Sequence, residues 1–234
     1  MMSASDDPPE VTMEPHLEMS YSKTMPSRIM FYCHQAPQPW EGGQTPICDM
    51  RKVYQELQNH SILHPMLEEG LRYYRTLPSR KTSRGALYSW EKTFFTEDKE
   101  SVESTLTDLG YDMEWTEDES LRYSYPMTAV RTHPLSGEMV WSNQSSVCHG
   151  SYYLDLPITL YQEEEFAPSH TAHKDGRAFT FQELALIRRE QWEHCRAISW
   201  EAGDLLVLDN YAVAHGRVGF SPSSSRRLVV AMTK

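Results

Sequence analysis

Residues 205–215 read Leu205-Leu206-Val207-Leu208-Asp209-Asn210-Tyr211-Ala212-Val213-Ala214-His215, and the reading of this stretch decides the fold. Positions 205–208 are apolar without a break, the pattern of a strand buried on both faces. Just upstream, Glu201-Ala202-Gly203-Asp204 reads as a turn, and residues 197–200 read as the strand that forms a hairpin with 205–208. Residues 228–232 repeat the apolar pattern near the C-terminus. Residues 28–35 supply the β-branched and aromatic side chains of a further strand near the N-terminus.

Helices fill the intervals. Asp49 can cap a helix over 50–59, a short helix precedes Gly70, and 99–109 reads as a helix closed by Gly110. Thr180-Phe181-Gln182-Glu183 is a capping box opening a helix that runs to about Cys195, with Leu184, Ile187 and Trp192 packing inward. Residues 123–132 and 138–143 read as strands around a turn at 134–137. Apolar strands with a few helices predict a mainly β, α+β fold. Its form is a distorted double-stranded β-helix, a jelly-roll-like, cupin-like pair of sheets with helices outside.

The chemistry resides at the two ends of the chain. In a strand, residues i and i+2 face the same way, so His16 and Glu18 of His16-Leu17-Glu18 can aim at one point with Leu17 turned away. A second histidine from a distant strand, His215, completes a two-histidine, one-carboxylate set. Three coordination positions then stay open, the ligand pattern of non-haem Fe(II) oxygenases. A zinc hydrolase can use the same three ligand types.

Spacing alone is weak support. With 33 acidic residues in 234, each of the ten histidines has about a one-in-seven chance of an acid two places on, so roughly one match arises by accident. Two are present. The second, His173-Lys174-Asp175, lies in a polar stretch ending at Gly176 and reads as a loop before a helix. His60 and His64 are four apart, but Pro65 breaks the helix that would align them. Glu190-Gln191-Trp192-Glu193-His194 resembles an inverted zinc-protease helix except that Glu190 stands where histidine is needed.

From residue 16 to the end, the chain resembles the TauD/TfdA family of Fe(II)/2-oxoglutarate dioxygenases, in its clavaminate-synthase-like branch. The resemblance is carried in order by His16-Leu17-Glu18-Met19-Ser20, by Gly42-Gly43-Gln44-Thr45 after a strand at 29–33, and by residues 109–115. Trp141-Ser142-Asn143 and the closing segments with His215 and Arg226-Arg227 complete it. It implies that His16, Glu18 and His215 bind iron and that Thr45 and Arg227 hold 2-oxoglutarate. A guanidinium grips a carboxylate through two parallel hydrogen bonds and a threonine hydroxyl adds a third. Arg226 and Arg227 face opposite ways on a strand, so one alone enters the site. Arg227 is the choice by correspondence, with Arg226 the alternative. Trp141 and Asn143 are candidates for the substrate side.

The resemblance also implies a large helical insert between early and late core strands that helps cover the site. The expected reaction is hydroxylation or desaturation of a small polar organic substrate with O2, releasing succinate and CO2. Two other readings use the same residues: a catalytically impaired pseudoenzyme or interaction protein that keeps the fold, and a cupin-like metal hydrolase or isomerase with no use for an arginine clamp. Two departures from the family pattern stand out. Only fifteen residues precede His16, where relatives carry a long segment, and Ser142 stands where an aromatic is expected.

Composition agrees with one soluble enzyme domain over 13–234, preceded by a polar, proline-containing segment over 1–12 that reads as disordered. A net charge of −11 argues against nucleic acid and anionic membranes as partners, and no apolar run approaches transmembrane length. A homo-oligomer stays open. Cys33, Cys48, Cys148 and Cys195 are scattered without a C-x-x-C pair, and with no signal peptide the expected setting is reduced and cytoplasmic.

Overall fold

The computed structural model describes residues 2–3, 8–82, 89–154 and 167–233. They divide into two compact units: Met1–Glu68, Thr128–Val147 and Thr180–Lys234 in the first, and Glu69–Met127 with Cys148–Phe179 in the second.

The first unit carries the jelly roll. One sheet orders β1 (Met2–Ser3), β14 (Arg227–Thr233), β3 (Arg28–Gln35) and β12 (Leu205–Asp209). The other orders β11 (Cys195–Ile198), β4 (Thr45–Asp49), β13 (Val213–Arg217) and β2 (Met13–His16). All these pairings are antiparallel. Alternation on β3 sends Ile29, Phe31 and Cys33 inward, where they meet Leu208, Leu228 and Trp200, and Ile47 and Val213 of the opposite sheet pack against them. Strands far apart in sequence thus become neighbours, which places both ends of the chain at one site.

The 197–208 hairpin does not form. β11 pairs with β4 and β12 with β3, so the turn at 201–204 carries the chain from one sheet to the other. Its backbone explains the corner: Gly203 adopts φ 97° and donates to the Cys33 carbonyl at 2.8 Å, while the Cys33 N–H donates to the Asp204 carbonyl at 2.9 Å. Nor is β12 buried on both faces. Leu208 is 5% exposed, but Leu205 is 64% and Val207 49% exposed on the outward face. β14 likewise turns Leu228 inward and Ala231 outward.

α1 (Met50–Leu57) is capped by Asp49 as expected, and it contacts both β9 (Met139–Trp141) and α6 (Phe181–Glu193). α6 opens with the full Thr180–Glu183 capping box. It buries Leu184 and Ile187, but Trp192 is 36% exposed, with its place on the inward face taken by Gln191. β9 forms a hairpin with β8 (Val130–Thr132) around the expected turn.

The second unit is not simply helical. Its sheet orders β10 (Ser169–His173), β5 (Leu71–Leu77), β7 (Leu121–Met127) and β6 (Asp112–Trp115). Leu77 and Leu121 of this sheet cluster with Trp90 of α3 (Trp90–Phe94) and with Val102 and Leu106 of α4 (Lys99–Leu109). α4 is capped by Asp98 and closed by Gly110 in the left-handed conformation. The segment expected as a loop, 169–173, is therefore a strand; alternating Ser169, Thr171 and His173 supply its buried positions.

Candidate active site

His16 is the last residue of β2, and His215 is its cross-strand partner on β13. Directly opposed residues on antiparallel strands point to the same face, which brings the two imidazoles to a centroid distance of 4.6 Å. Glu18 lies beyond the strand, in a turn, so alternation along a strand is not what aligns it. Its carboxylate Oε2 nevertheless stands 3.8 Å from Nε2 of both histidines. That spacing is too long for a hydrogen bond, so three ligand atoms converge without consuming one another. They form the one such group of metal-capable side chains among the described residues, all ligand atoms lying within 4.8 Å of each other.

The turn that aims Glu18 is held from behind. The fully buried Asn210 side chain accepts from the Glu18 N–H at 2.8 Å and donates to the Glu18 carbonyl at 3.0 Å and the Pro26 carbonyl at 2.9 Å. Gln144 donates to the Leu17 carbonyl at 2.8 Å, while Leu17 itself is fully buried. Met19, next in the chain, takes φ 57°, a left-handed conformation that a side-chain residue adopts only where the surroundings impose it. Asn210 and Gln144 escape a motif search because each works on backbone atoms across more than a hundred residues.

Each histidine presents its Nε2. His16 Nδ1 lies 2.9 Å from the Glu14 carbonyl, which can only accept, so Nδ1 carries a proton and Nε2 is the nitrogen turned toward Glu18. Arg188 of α6 in turn grips the Glu14 carboxylate at 2.8 Å. Burial, and then the neighbouring His16, lower the pKa of His215 to about 3 against the partial opposition of Glu18, so it is neutral at ordinary pH. Its Nδ1 is buried with no hydrogen-bond partner. Burial pushes the Glu18 carboxyl up, but the two imidazoles, His16 foremost, more than offset this and hold it below its usual range. A neutral His215 and an ionised Glu18 are in the protonation states that metal ligation requires, and His16 turns its Nε2 to the same point, so the donor set fits a divalent iron.

The triad opens into a cavity of about 320 Å³ also lined by Phe31, Thr45, Arg217, Phe220, Arg226 and Arg227. Thr45 accepts a hydrogen bond from the Trp200 indole at 3.0 Å. An indole N–H can only donate, so the threonine proton is left to donate to something else. Arg226 is the arginine that turns inward. Its Nε donates to the Gly43 carbonyl at 2.9 Å and its guanidinium lies 4.9 Å from the Phe220 ring. Gly43 leaves the space for it, because a Cβ there would come within 2.7 Å of the Arg226 side chain. Burial, and then the charge of Arg217, lower the Arg226 pKa to about 10, which still leaves it cationic. No carboxylate of the described residues pairs with it. Arg227, the residue expected to hold 2-oxoglutarate, is an exposed residue at the start of β14 that reaches only the cavity lining.

Trp141 and Asn143 are not brought to the cavity. Trp141 is fully buried in β9. Asn143 spends its side-chain amide on the chain itself, donating to the Ala129 carbonyl at 2.7 Å and accepting from the Ser145 N–H at 2.9 Å. His60, His64 and His173 contribute to no metal-capable group among the described residues.

A double-stranded β-helix with two imidazoles and a carboxylate at one mouth, backed by a half-buried arginine, has the frame of a metal-dependent oxygenase. The chain belongs to the TauD/TfdA family, matching the family described as "Taurine catabolism dioxygenase TauD, TfdA family" over residues 2–232. It is an oxidoreductase of the Fe(II)/2-oxoglutarate-dependent dioxygenases, which take O2 as co-substrate. It is similar to the dapdiamide synthesis protein DdaC of Enterobacter agglomerans, with 30% identity covering 97% of this chain and 68% of that protein. It is also similar to the clavaminate synthase-like protein At3g21360 of Arabidopsis thaliana, with 31% identity over 100% of this chain and 68% of that one. The fold matches the crystal structure of AAD-2 in complex with Mn(II) and N-oxalylglycine at a TM-score of 0.53 and 17% identity, covering 94% of this chain and 67% of that one. The chain thus spans about two thirds of the length of the relatives it matches. Family membership favours the dioxygenase reading over the pseudoenzyme and the hydrolase.

Proposed function

We propose that this chain oxidises a small polar organic molecule at the His16–Glu18–His215 centre, consuming 2-oxoglutarate and O2 and releasing succinate and CO2. The observation that carries the proposal is the convergence of two imidazoles and one carboxylate on a point that opens into a cavity lined by a half-buried guanidinium with no carboxylate partner among the described residues. Iron held by the triad supplies the oxygen chemistry that no side chain can perform. The protein supplies position. Asn210 and Gln144 fix the turn that aims Glu18, and the Glu14 carbonyl fixes the tautomer of His16. Arg226 offers a paired N–H face to the distal carboxylate of 2-oxoglutarate, and the Thr45 hydroxyl, its lone pair occupied by Trp200, donates to the same group. We assign the clamp to Arg226 rather than Arg227 because only Arg226 is desolvated, and a desolvated guanidinium gains most from a carboxylate.

Further parts of the reading rest on sequence. One dioxygenase domain spans 13–234, and an acidic chain of net charge −11 suits neither nucleic acid nor an anionic membrane. No helix of the described residues is long and apolar enough to cross a membrane. A cytoplasmic enzyme accords with these features and with its four unbridged cysteines.

The direct test is anaerobic titration of the purified apoprotein with Fe(II) and then 2-oxoglutarate, followed by visible absorption. A weak charge-transfer band that needs both additions, and that is missing in His215→Ala, is the expected result. A folded protein that gives no band would sink the proposal and favour a chain that keeps the fold without turnover.

A further inference from the structure

Cys48 and Cys195 face each other across the β4–β11 ladder as directly paired residues. Directly opposed antiparallel residues share a face of the sheet and have Cα atoms about 4.5–5.5 Å apart, inside the range a disulfide spans. Their sulfurs also converge. Cys48 Sγ donates to the Gln191 carbonyl at 3.1 Å and Cys195 Sγ donates to the same oxygen at 3.2 Å. Gln191 lies in the last turn of α6, where carbonyls run out of intrahelical donors, so the two thiols satisfy a helix end together. Neither takes part in the oxygenase site described above. Both cysteines are free.

We propose that Cys48 and Cys195 form a reversible oxidative modification site, a cross-strand dithiol that hydroperoxides convert to a disulfide. The two positions differ in access: Cys48 is 1% exposed, whereas Cys195 is partly open to solvent. Cys195 is therefore the thiol that meets the oxidant. The Cys48 thiol beside it lowers the Cys195 pKa, and the same contact, with burial, raises that of Cys48, which matches this order of events. Cys195 thiolate attacks the peroxide, forming a sulfenic acid and expelling water or, from an alkyl peroxide, an alcohol. Cys48 then attacks the Cys195 sulfur, the S–S bond forms and a second water leaves. With hydrogen peroxide the balance is two thiols and one peroxide to one disulfide and two waters.

The consequence reaches the active site through β4. Thr45 lies three residues before Cys48 on that strand, and Cys48 pairs on its other side with Ala214, the neighbour of His215. Oxidation also strips the Gln191 carbonyl of two donors at once. The disulfide thus fixes β11 to β4 while loosening the end of α6.

The test is thiol counting and peptide mapping after treatment of the whole reduced protein with stoichiometric hydrogen peroxide, with no iron or 2-oxoglutarate present. Its outcome is therefore independent of the oxygenase reading. Two of four thiols should disappear and return with dithiothreitol. Trypsin leaves Cys33 and Cys48 on one peptide, residues 29–51, so the map is made in Cys33→Ser, where the 29–51 peptide should be joined to 190–196. Cys48→Ser and Cys195→Ser should each abolish the cross-link, and Cys148→Ser should keep it. Irreversible oxidation of Cys195 without a cross-link, a bridge to Cys148, or a bridge between two chains would each overturn the proposal.

Discussion

Arg226 and Arg227 are adjacent in sequence and opposite in situation: one is drawn in over Phe220 and against the Gly43 carbonyl, the other stands exposed at the start of β14. Loss of a desolvated, charge-assisted bond costs about 1.5–3 kcal/mol, or roughly tenfold to a hundredfold in affinity. Arg226→Lys should therefore raise the KM for 2-oxoglutarate by about that factor, while Arg227→Ala leaves it within about twofold. Steady-state kinetics on both variants would reverse the assignment if the effects were exchanged. Asn210→Ala removes the three bonds that hold the Glu18 turn and the Pro26 carbonyl, and should weaken Fe(II) binding about ten- to a hundredfold, as loss of a ligand's supporting bond does elsewhere. Isothermal titration under argon reads this, and an unchanged affinity would show that the turn holds its shape without Asn210. The contrast marks what the sequence makes legible at this scale. His16, Glu18 and His215 are legible from residue type together with the family resemblance, because ligation needs those side chains. The choice between two arginines and the role of Asn210 depend on which backbone atoms lie nearby, and only the folded chain supplies these.

The elements best read from sequence are those whose signals are local. The Asp49 cap, the Gly110 stop and the Thr180–Glu183 box each bond within four residues, and all three appear where their residues predict them. The elements misread are those whose partner is remote. Residues 201–204 have turn chemistry, but whether a turn closes a hairpin or rounds a corner between sheets depends on Cys33, about 170 residues away in the chain. The alternating polar strand at 169–173 was hidden for the same reason, since its ladder among the described residues is with the remote β5. α6 links local and remote effects. Its box joins Thr180 to Glu183 through bonds of 2.7, 2.8 and 3.2 Å, and farther along it places Arg188 on Glu14, behind His16. Thr180→Ala should lower stability by about 1 kcal/mol, the usual value of an N-cap. It should leave turnover of the folded enzyme unchanged, because the Arg188 contact lies two turns away. Chemical denaturation and single-temperature kinetics check the two halves separately, and a loss of turnover at full folding would place the α6 N-terminus in the catalytic machinery.

For the molecule as a whole, burying a metal site before the metal arrives has a pH signature. His215 keeps its proton only below about pH 3 in the folded apoprotein but below 6.5 in the unfolded chain, so between these values the unfolded state binds more protons. Stability from this group is then complete above pH 6.5 and is lost as pH falls toward 3, at a limiting slope of about 1.4 kcal/mol per pH unit. The Glu18 carboxyl, held below its usual 4.5, acts in the same direction in a lower window, so between pH 6.5 and 5 the slope belongs to His215. On the function proposed above, Fe(II) binds only the folded, deprotonated triad. It should therefore raise the free energy of unfolding at pH 7.5 by about 2.7 kcal/mol at a hundredfold excess over its dissociation constant. That gain should shrink as the solution is acidified and vanish with a chelator. Urea denaturation of the apoprotein between pH 7.5 and 5 isolates the protein term. His215→Phe, which keeps an aromatic ring against Phe31 but cannot titrate, should flatten the curve across this range. If the variant keeps the wild-type slope, the protons are taken up elsewhere and the buried imidazole is not the group that makes the empty site acid-labile.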